Sequence, residues 1–259
     1  PQEGKSDMPS SLWEALLGSG QDPEAELVKW LRVGAPTGFD DSNPIVANGV
    51  FPPTSGPTAA VEASKTFAEV KCKFDPAGHS NYRSYYEHEG LSEDEVGRLV
   101  KLNYIEIVLT WVLIIARWSY AVATRLASIV KTKADGSLKL RFIMDLLRSG
   151  VNGRSNPPER IVLPRITDYV MSVLNLMVAL WLQGGDQAAV NMVTLMVVDF
   201  SDAFYNLHAH PAERGWLIFK CKQGWAVFKR ICFGMTTAPL LWGRLAAATG
   251  RISQATFLP

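Results

Sequence analysis

The sequence predicts an α/β (α+β) fold: a mostly antiparallel sheet with packed helices, behind an irregular N-terminal leader. Three observations predict it. Two β-hairpin patterns carry turn residues between their strands, several apolar stretches have helical spacing, and the first eighty residues are rich in Pro and Gly. With 259 residues, 47% hydrophobic and 20% charged, the chain can bury a substantial core, which excludes wholesale disorder. Its 15 Pro and 20 Gly are too few for a fibrous or low-complexity protein.

Residues 1–81 read as an acidic, Pro/Gly-rich leader with one short helix. Asp22 can cap a helix over Pro23–Arg32, with Pro23 at its first position and Gly34 after it. The following stretch, 34–58, is too rich in Pro, Gly, Asn and Asp for regular structure and reads as an extended linker. Residues 82–125 form a helical segment. Ser92 and Glu95 are spaced as a capping box, and Val96, Leu99 and Val100 share one helical face. Tyr104–Ala116 is strongly apolar over about thirteen residues, but it contains Glu106 and meets Arg117. A bilayer span takes about twenty residues, so a buried helix or strand pair is expected instead, with the aromatics of Trp111–Tyr120 in the core.

From residue 126 the pattern becomes that of strands. LASIVKTK and LKLRFIMD flank Asp135-Gly136 and are expected to pair as a hairpin. Alternation puts Lys139, Arg141, Ile143 and Asp145 on one face and Leu138, Leu140, Phe142 and Met144 on the other. Tyr169–Leu182 reads as a core helix capped by Thr167 or Asp168. Val193–Asp199 is a continuous apolar run ending in a carboxylate, as a buried central strand would be. WLIFK and WAVFKRI form a second hairpin around Gln223-Gly224, and Pro239 opens a further helix.

The net charge of +1 hides an asymmetry. Residues 1–100 carry 16 acidic and 8 basic residues, while 101–259 carry 9 acidic and 18 basic. Arg117–Arg165 alone holds ten basic residues against Asp135, Asp145 and Glu159, a density that attracts polyanions or forms a solvated face. The three cysteines are widely spaced, with no CxxC pair, which fits a reducing compartment. No basic region followed by an apolar run opens the chain, so an intracellular location, cytoplasm or nucleus, is expected rather than secretion.

Three elements carry chemistry. MVVDFSDAFYNL (Met196–Leu207) places Asp199 and Asp202 around a turn after a strand, a pattern that suits a divalent metal carrying phosphates and also serves as an ordinary turn cap. ICFGMTTAPLLWGR (Ile231–Arg244) has a glycine that lets backbone approach a ligand, before a Pro-started helix. KTKADGSLKLRFIMD offers Lys131, Lys133 and Arg141, and a guanidinium on the polar face can clamp a phosphate with two prongs.

In this order, a Lys/Arg hairpin with R-x-x-x-D, then V-V-D-F-S-D-A-F, then F-G-x-x-x-A-P-x-x-W resembles the fingers and first palm motifs of retroelement reverse transcriptases. The resemblance covers about 126–250 and implies a palm-and-fingers fragment of an RNA-directed DNA polymerase over 126–259. It implies that Asp199 is the first metal-binding carboxylate, holding Mg²⁺ or Mn²⁺, with the Phe200 carbonyl also facing metal. Asp202 and Ala203 would offer N–H groups to an incoming deoxynucleoside triphosphate, and Phe204 would lie under its sugar. Arg141 with Lys131 or Lys133 would bind the triphosphate, and Phe233-Gly234 would line the nucleotide and template pocket. The partners implied are an RNA or DNA template with its primer, and the oligomeric state stays open. The family's next palm motif, an aromatic followed two places on by paired aspartates, is not among these 259 residues, and no Asp follows Asp202, so this chain alone is expected not to polymerise. The alternatives are an inactive retroelement remnant that binds nucleic acid and a membrane-associated protein anchored through 104–130.

Overall fold

The computed structural model describes residues 8–17, 22–54, 74–187, 193 and 199–257. The chain divides into two compact units: Pro1–Arg160 together with Asp202–Pro259, and Ile161–Ser201. The class is α+β, with helices and antiparallel strands.

The larger unit is built around a three-stranded sheet in the order β1 (Ile105–Val108), β5 (Gly224–Phe228), β4 (Ile218–Cys221), antiparallel throughout. Alternation along β5 explains how this small sheet is packed. Ala226 and Phe228, with Ile105, Ile107 and Phe219 on the neighbouring strands, face the main core; Trp225 and Val227, with Ile218, face a second cluster containing Ile114 and Trp118. Apolar side chains therefore cover both faces, which is why WAVF reads as a continuous rather than an alternating run. The expected β4–β5 hairpin forms, closed by Lys222–Gln223, but the second strand stops at Phe228 instead of Ile231.

The stretch 104–116 is neither a single helix nor a strand pair. It is β1 followed by a helix over Trp111–Arg117, because the Thr110 hydroxyl accepts the Leu113 N–H (3.4 Å) and starts a new element in mid-run. The helix predicted near Ser92 runs over Glu89–Lys101. Ser92 sits inside it, buried, with its hydroxyl on the Tyr85 carbonyl (3.1 Å) and the Ser128 hydroxyl (2.9 Å), so no capping box forms there. Val96 and Leu99 are buried as expected, whereas Val100 is exposed.

β2 (Leu126–Thr132) and β3 (Leu138–Met144) form the expected hairpin, in the register Leu126↔Met144 to Thr132↔Leu138. Phe142 and Met144 are buried while Lys139 and Arg141 are exposed, matching the predicted faces except for Leu138, which is exposed near the turn. The last helix runs over Ala238–Phe257, with Pro239 in its first turn.

The leader is irregular but not a free linker. Its described residues include two helices, Ser10–Leu17 and Ala25–Val33, and Leu27, Trp30, Leu31, Ala35, Phe39 and Ile45 are part of the main core. Several of its buried polar groups bond to distant partners. Arg244 and Glu24 form a fully buried ion pair (2.9 Å), with Arg244 lying over the Trp30 ring and donating to the Val46 carbonyl (2.7 Å). Glu213, also buried, accepts from the Thr37 N–H (2.9 Å), the Thr37 hydroxyl and the Asn43 amide. After its second helix the leader runs through irregular backbone, whose polar groups rely in part on these long-range bonds.

In the smaller unit a helix runs over Ile166–Leu182. Arg165 is its N-cap, and Asp168 reaches back from the first turn to accept the Arg165 N–H (2.7 Å). It is not the core helix expected: none of its residues is buried. Among the described residues no helix is long and apolar enough to cross a membrane. The strand expected over Val193–Asp199 lies outside the described residues, apart from its two ends.

Candidate functional site

The hairpin gathers cations on one face. Lys131 pairs with Lys139 and Ile129 with Arg141, so these four side chains project on the same side, and all are exposed. Lys133 lies beyond the strand, where its N–H donates to the Ser137 carbonyl (2.8 Å). The turn is held by Asp135, which accepts from the Ser137 hydroxyl and N–H. These bonds keep the Asp135 carboxyl below its ordinary range, the hydroxyl contributing most.

At the other end of β3 the hairpin meets the second motif. The Met144 N–H donates to the Phe233 carbonyl (3.0 Å). Gly234 follows with φ +109°, and a Cβ built on it would lie 2.0 Å from the Met144 carbonyl oxygen, so no other residue fits there. Asn152 clamps the same loop from its far side: its amide donates to the Gly234 carbonyl (2.8 Å), and its oxygen accepts the Thr236 N–H (3.1 Å).

The third motif joins through aromatic rings. Phe204, partly buried, lies 4.8 Å from the Phe233 ring, and Tyr205 stacks on Phe228 at 5.9 Å. Ala203 begins the short 3₁₀ turn Ala203–Asn206, whose cap Asp202 takes the left-handed conformation (φ 51°). The Asp202 carboxylate is 3.0 Å from Arg98, which Glu95 also holds with two bonds of 2.8 Å. These bonds, with Glu95 first, raise the Arg98 guanidinium further above its already high value, so it is a permanent cation.

Of the residues singled out in the sequence, Arg141 with Lys131 and Lys133, Asp202, Ala203, Phe204, Phe233 and Gly234 all belong to the larger unit. Within it, backbone bonds tie Phe233-Gly234 to the strand that carries Arg141, and Phe204 rests on Phe233. Asp199 and Phe200 belong to the smaller unit; Asp199 is exposed and its carboxylate accepts the Phe200 N–H (2.9 Å). Mg²⁺ and Mn²⁺ favour hard oxygen donors, taking one or two protein carboxylates and filling the remaining positions with water and phosphate oxygens. Asp199 fits that chemistry, whereas the Asp202 carboxylate is committed to Arg98.

Two contributors escaped the sequence reading. Asn152, in a loop of ordinary composition, carries no signal of its own. Arg98 had a partial one, its spacing of three from Glu95 on a helix, but nothing local pointed to Asp202. No family model matches the chain, and no curated protein matches it.

Proposed function

We propose that this chain is the fingers and first half of the palm of an RNA-directed DNA polymerase, and that the surface between the β2–β3 hairpin and the Phe233-Gly234 loop receives a deoxynucleoside triphosphate. The observation that carries this reading is that three motifs far apart in sequence meet. The strand bearing Arg141 ends on the Phe233 carbonyl, and Phe204 packs on the Phe233 ring. A basic strand, a backbone loop stripped of side-chain bulk and an aromatic floor are the parts needed to hold triphosphate, base and sugar in turn.

The reaction is phosphoryl transfer, in which a primer 3′-hydroxyl attacks the α-phosphate and pyrophosphate leaves. Catalysis of this kind is positioning plus charge stabilisation. Arg141 and Lys131 neutralise the leaving phosphates. Phe204 fixes the height of the sugar, so that a 2′-hydroxyl collides with the ring. Asp199 and the Phe200 carbonyl would hold the divalent ion, which when bound supplies charge neutralisation.

The test is binding of a labelled primer–template with dTTP. Affinity should fall steeply with salt and show little sequence preference, because cations facing phosphates release counterions. Arg141→Gln should weaken dTTP binding about tenfold while leaving the fold intact. Affinity that is flat with salt, or dTTP binding indifferent to Arg141, would refute the reading.

A further inference from the structure

At the root of the β2–β3 hairpin a cavity of about 520 Å³ is lined by Phe74, Asp75, His79, Arg125, Asp145 and Arg148. Its frame is fixed, since the Asp145 N–H donates to the Arg125 carbonyl (3.0 Å), holding the first residue before the hairpin against the first after it. Two acids line the cavity, and both have local partners. Asp145 accepts from the Tyr82 hydroxyl and from the Arg148 N–H (3.0 Å); Asp75 accepts from the N–H groups of Ala77 and Gly78, at 2.9 Å each. The two guanidiniums are uncommitted. Arg125 lies 5.9 Å from the Tyr82 ring, and neither it nor Arg148 has a carboxylate partner among the described residues. Lys220 adds a third cation close by, its ammonium on the His79 carbonyl (3.1 Å).

Phe74 and His79 add aromatic rings to the lining. Phe74 lies 4.8 Å from Trp111 and 5.4 Å from His79, so its ring is held in place by neighbours. Uncommitted guanidiniums bind phosphate oxygens strongly, and a fixed ring stacks on any base; together they are the two halves of single-strand recognition. The volume falls in the range of pockets for small organic ligands. A duplex turns its bases inward, so stacking of a base on a protein ring calls for a single strand.

We propose that this cavity seats one nucleotide of a single-stranded nucleic acid, its phosphate between Arg125 and Arg148 and its base against Phe74. The inference rests on the polymerase reading for the origin of the strand, which reaches the cavity along the basic face bearing Lys131, Lys139 and Arg141.

The experiment measures the full chain against a labelled oligo-dT single strand and against dTMP. Arg125→Gln/Arg148→Gln should weaken oligo-dT binding at least tenfold and make the dependence of log K on log salt shallower by about one, for the one phosphate that is no longer neutralised. Phe74→Leu, which keeps an apolar wall without a π-face, should weaken oligo-dT binding with the salt dependence unchanged. Arg83→Gln, at an exposed ion pair with Glu87, serves as the control and should bind as the parent does. A folded double variant that binds oligo-dT as the parent does overturns the proposal and leaves the polymerase reading standing. Loss of dTMP binding alone, with oligo-dT binding intact, marks a free-phosphate site and also overturns it. A parent chain that binds no oligo-dT overturns both.

Discussion

Replacing Gly234 by Ala puts a methyl group where the backbone of β3 already runs. Its Cβ would stand 2.0 Å from the Met144 carbonyl oxygen and 2.9 Å from the carbonyl carbon. A carbon and an oxygen settle no closer than about 3.3 Å, so the loop has to retreat by more than an ångström. That retreat breaks the Phe233–Met144 bond (3.0 Å) and the Asn152–Gly234 bond (2.8 Å), each contributing about 0.5–1.5 kcal/mol. Holding a non-glycine residue at φ +109° adds about 1–3 kcal/mol. The expected loss is about 2–6 kcal/mol, a fall in melting temperature of roughly 4 to 24 °C for a chain of this size. Urea denaturation of Gly234→Ala beside Asn152→Ala isolates the cause. The second variant removes side-chain bonds without pushing the backbone, and should cost about 1–3 kcal/mol. Gly234→Ala within about 0.5 kcal/mol of the parent would mean that the loop is not fastened to β3, and the meeting of motifs on which the functional reading stands would go with it.

Three further outcomes are expected. Arg244→Met strands the buried Glu24 carboxylate and should cost about 3–5 kcal/mol, while Glu24→Leu/Arg244→Met should recover much of it; a double variant as unstable as the two losses added together would contradict the pairing. Burial raises the Glu213 carboxyl above its ordinary value of 4.5, against the hydrogen bonds from Thr37 and Asn43. The folded state therefore holds this proton more tightly than the unfolded state, and the contribution to stability falls as pH rises from about that value through the folded one; Glu213→Gln should flatten the slope in that window, as melts at stepped pH would record. Phe204→Ala should admit ribonucleotides more readily and loosen Phe233; a folded variant with unchanged sugar preference, measured by competition of dTTP with UTP, would make Phe204 packing alone.

What the sequence made legible was local. The β2–β3 hairpin follows from an Asp-Gly turn between alternating strands, and the last helix from Pro239, because both signals act between residues close in the chain. The exposed position of Arg141 on the polar face of its strand was legible for the same reason, since alternation acts between near neighbours. The edge strand β1 was not legible. It is four residues long, and its pairing with β5 is decided more than a hundred residues away. Nor was the packing of the leader, since composition distinguishes regular from irregular backbone but not packed from free. Phe39 and Ile45 sit among prolines and glycines, and only the surfaces of distant elements make them core. Asn152 belongs to the same class, as its function lies in what arrives beside it.

The ion pair between Glu24 and Arg244 has a consequence for how the protein is made. A ribosome adds about 5–20 residues per second, and the partners are 220 positions apart, so Glu24 is in the cell for about 10 to 40 s before its arginine exists. Over that interval Leu27, Trp30 and Leu31 have no finished core to enter, and the central strand β5 that would anchor it is itself late. Contacts of such long range also slow the final collapse, because loop closure must be completed before they contribute. Nascent chains of this protein should therefore spend much of their synthesis as clients of factors that shield apolar segments, and should become resistant to protease only once the helix Ala238–Phe257 has emerged.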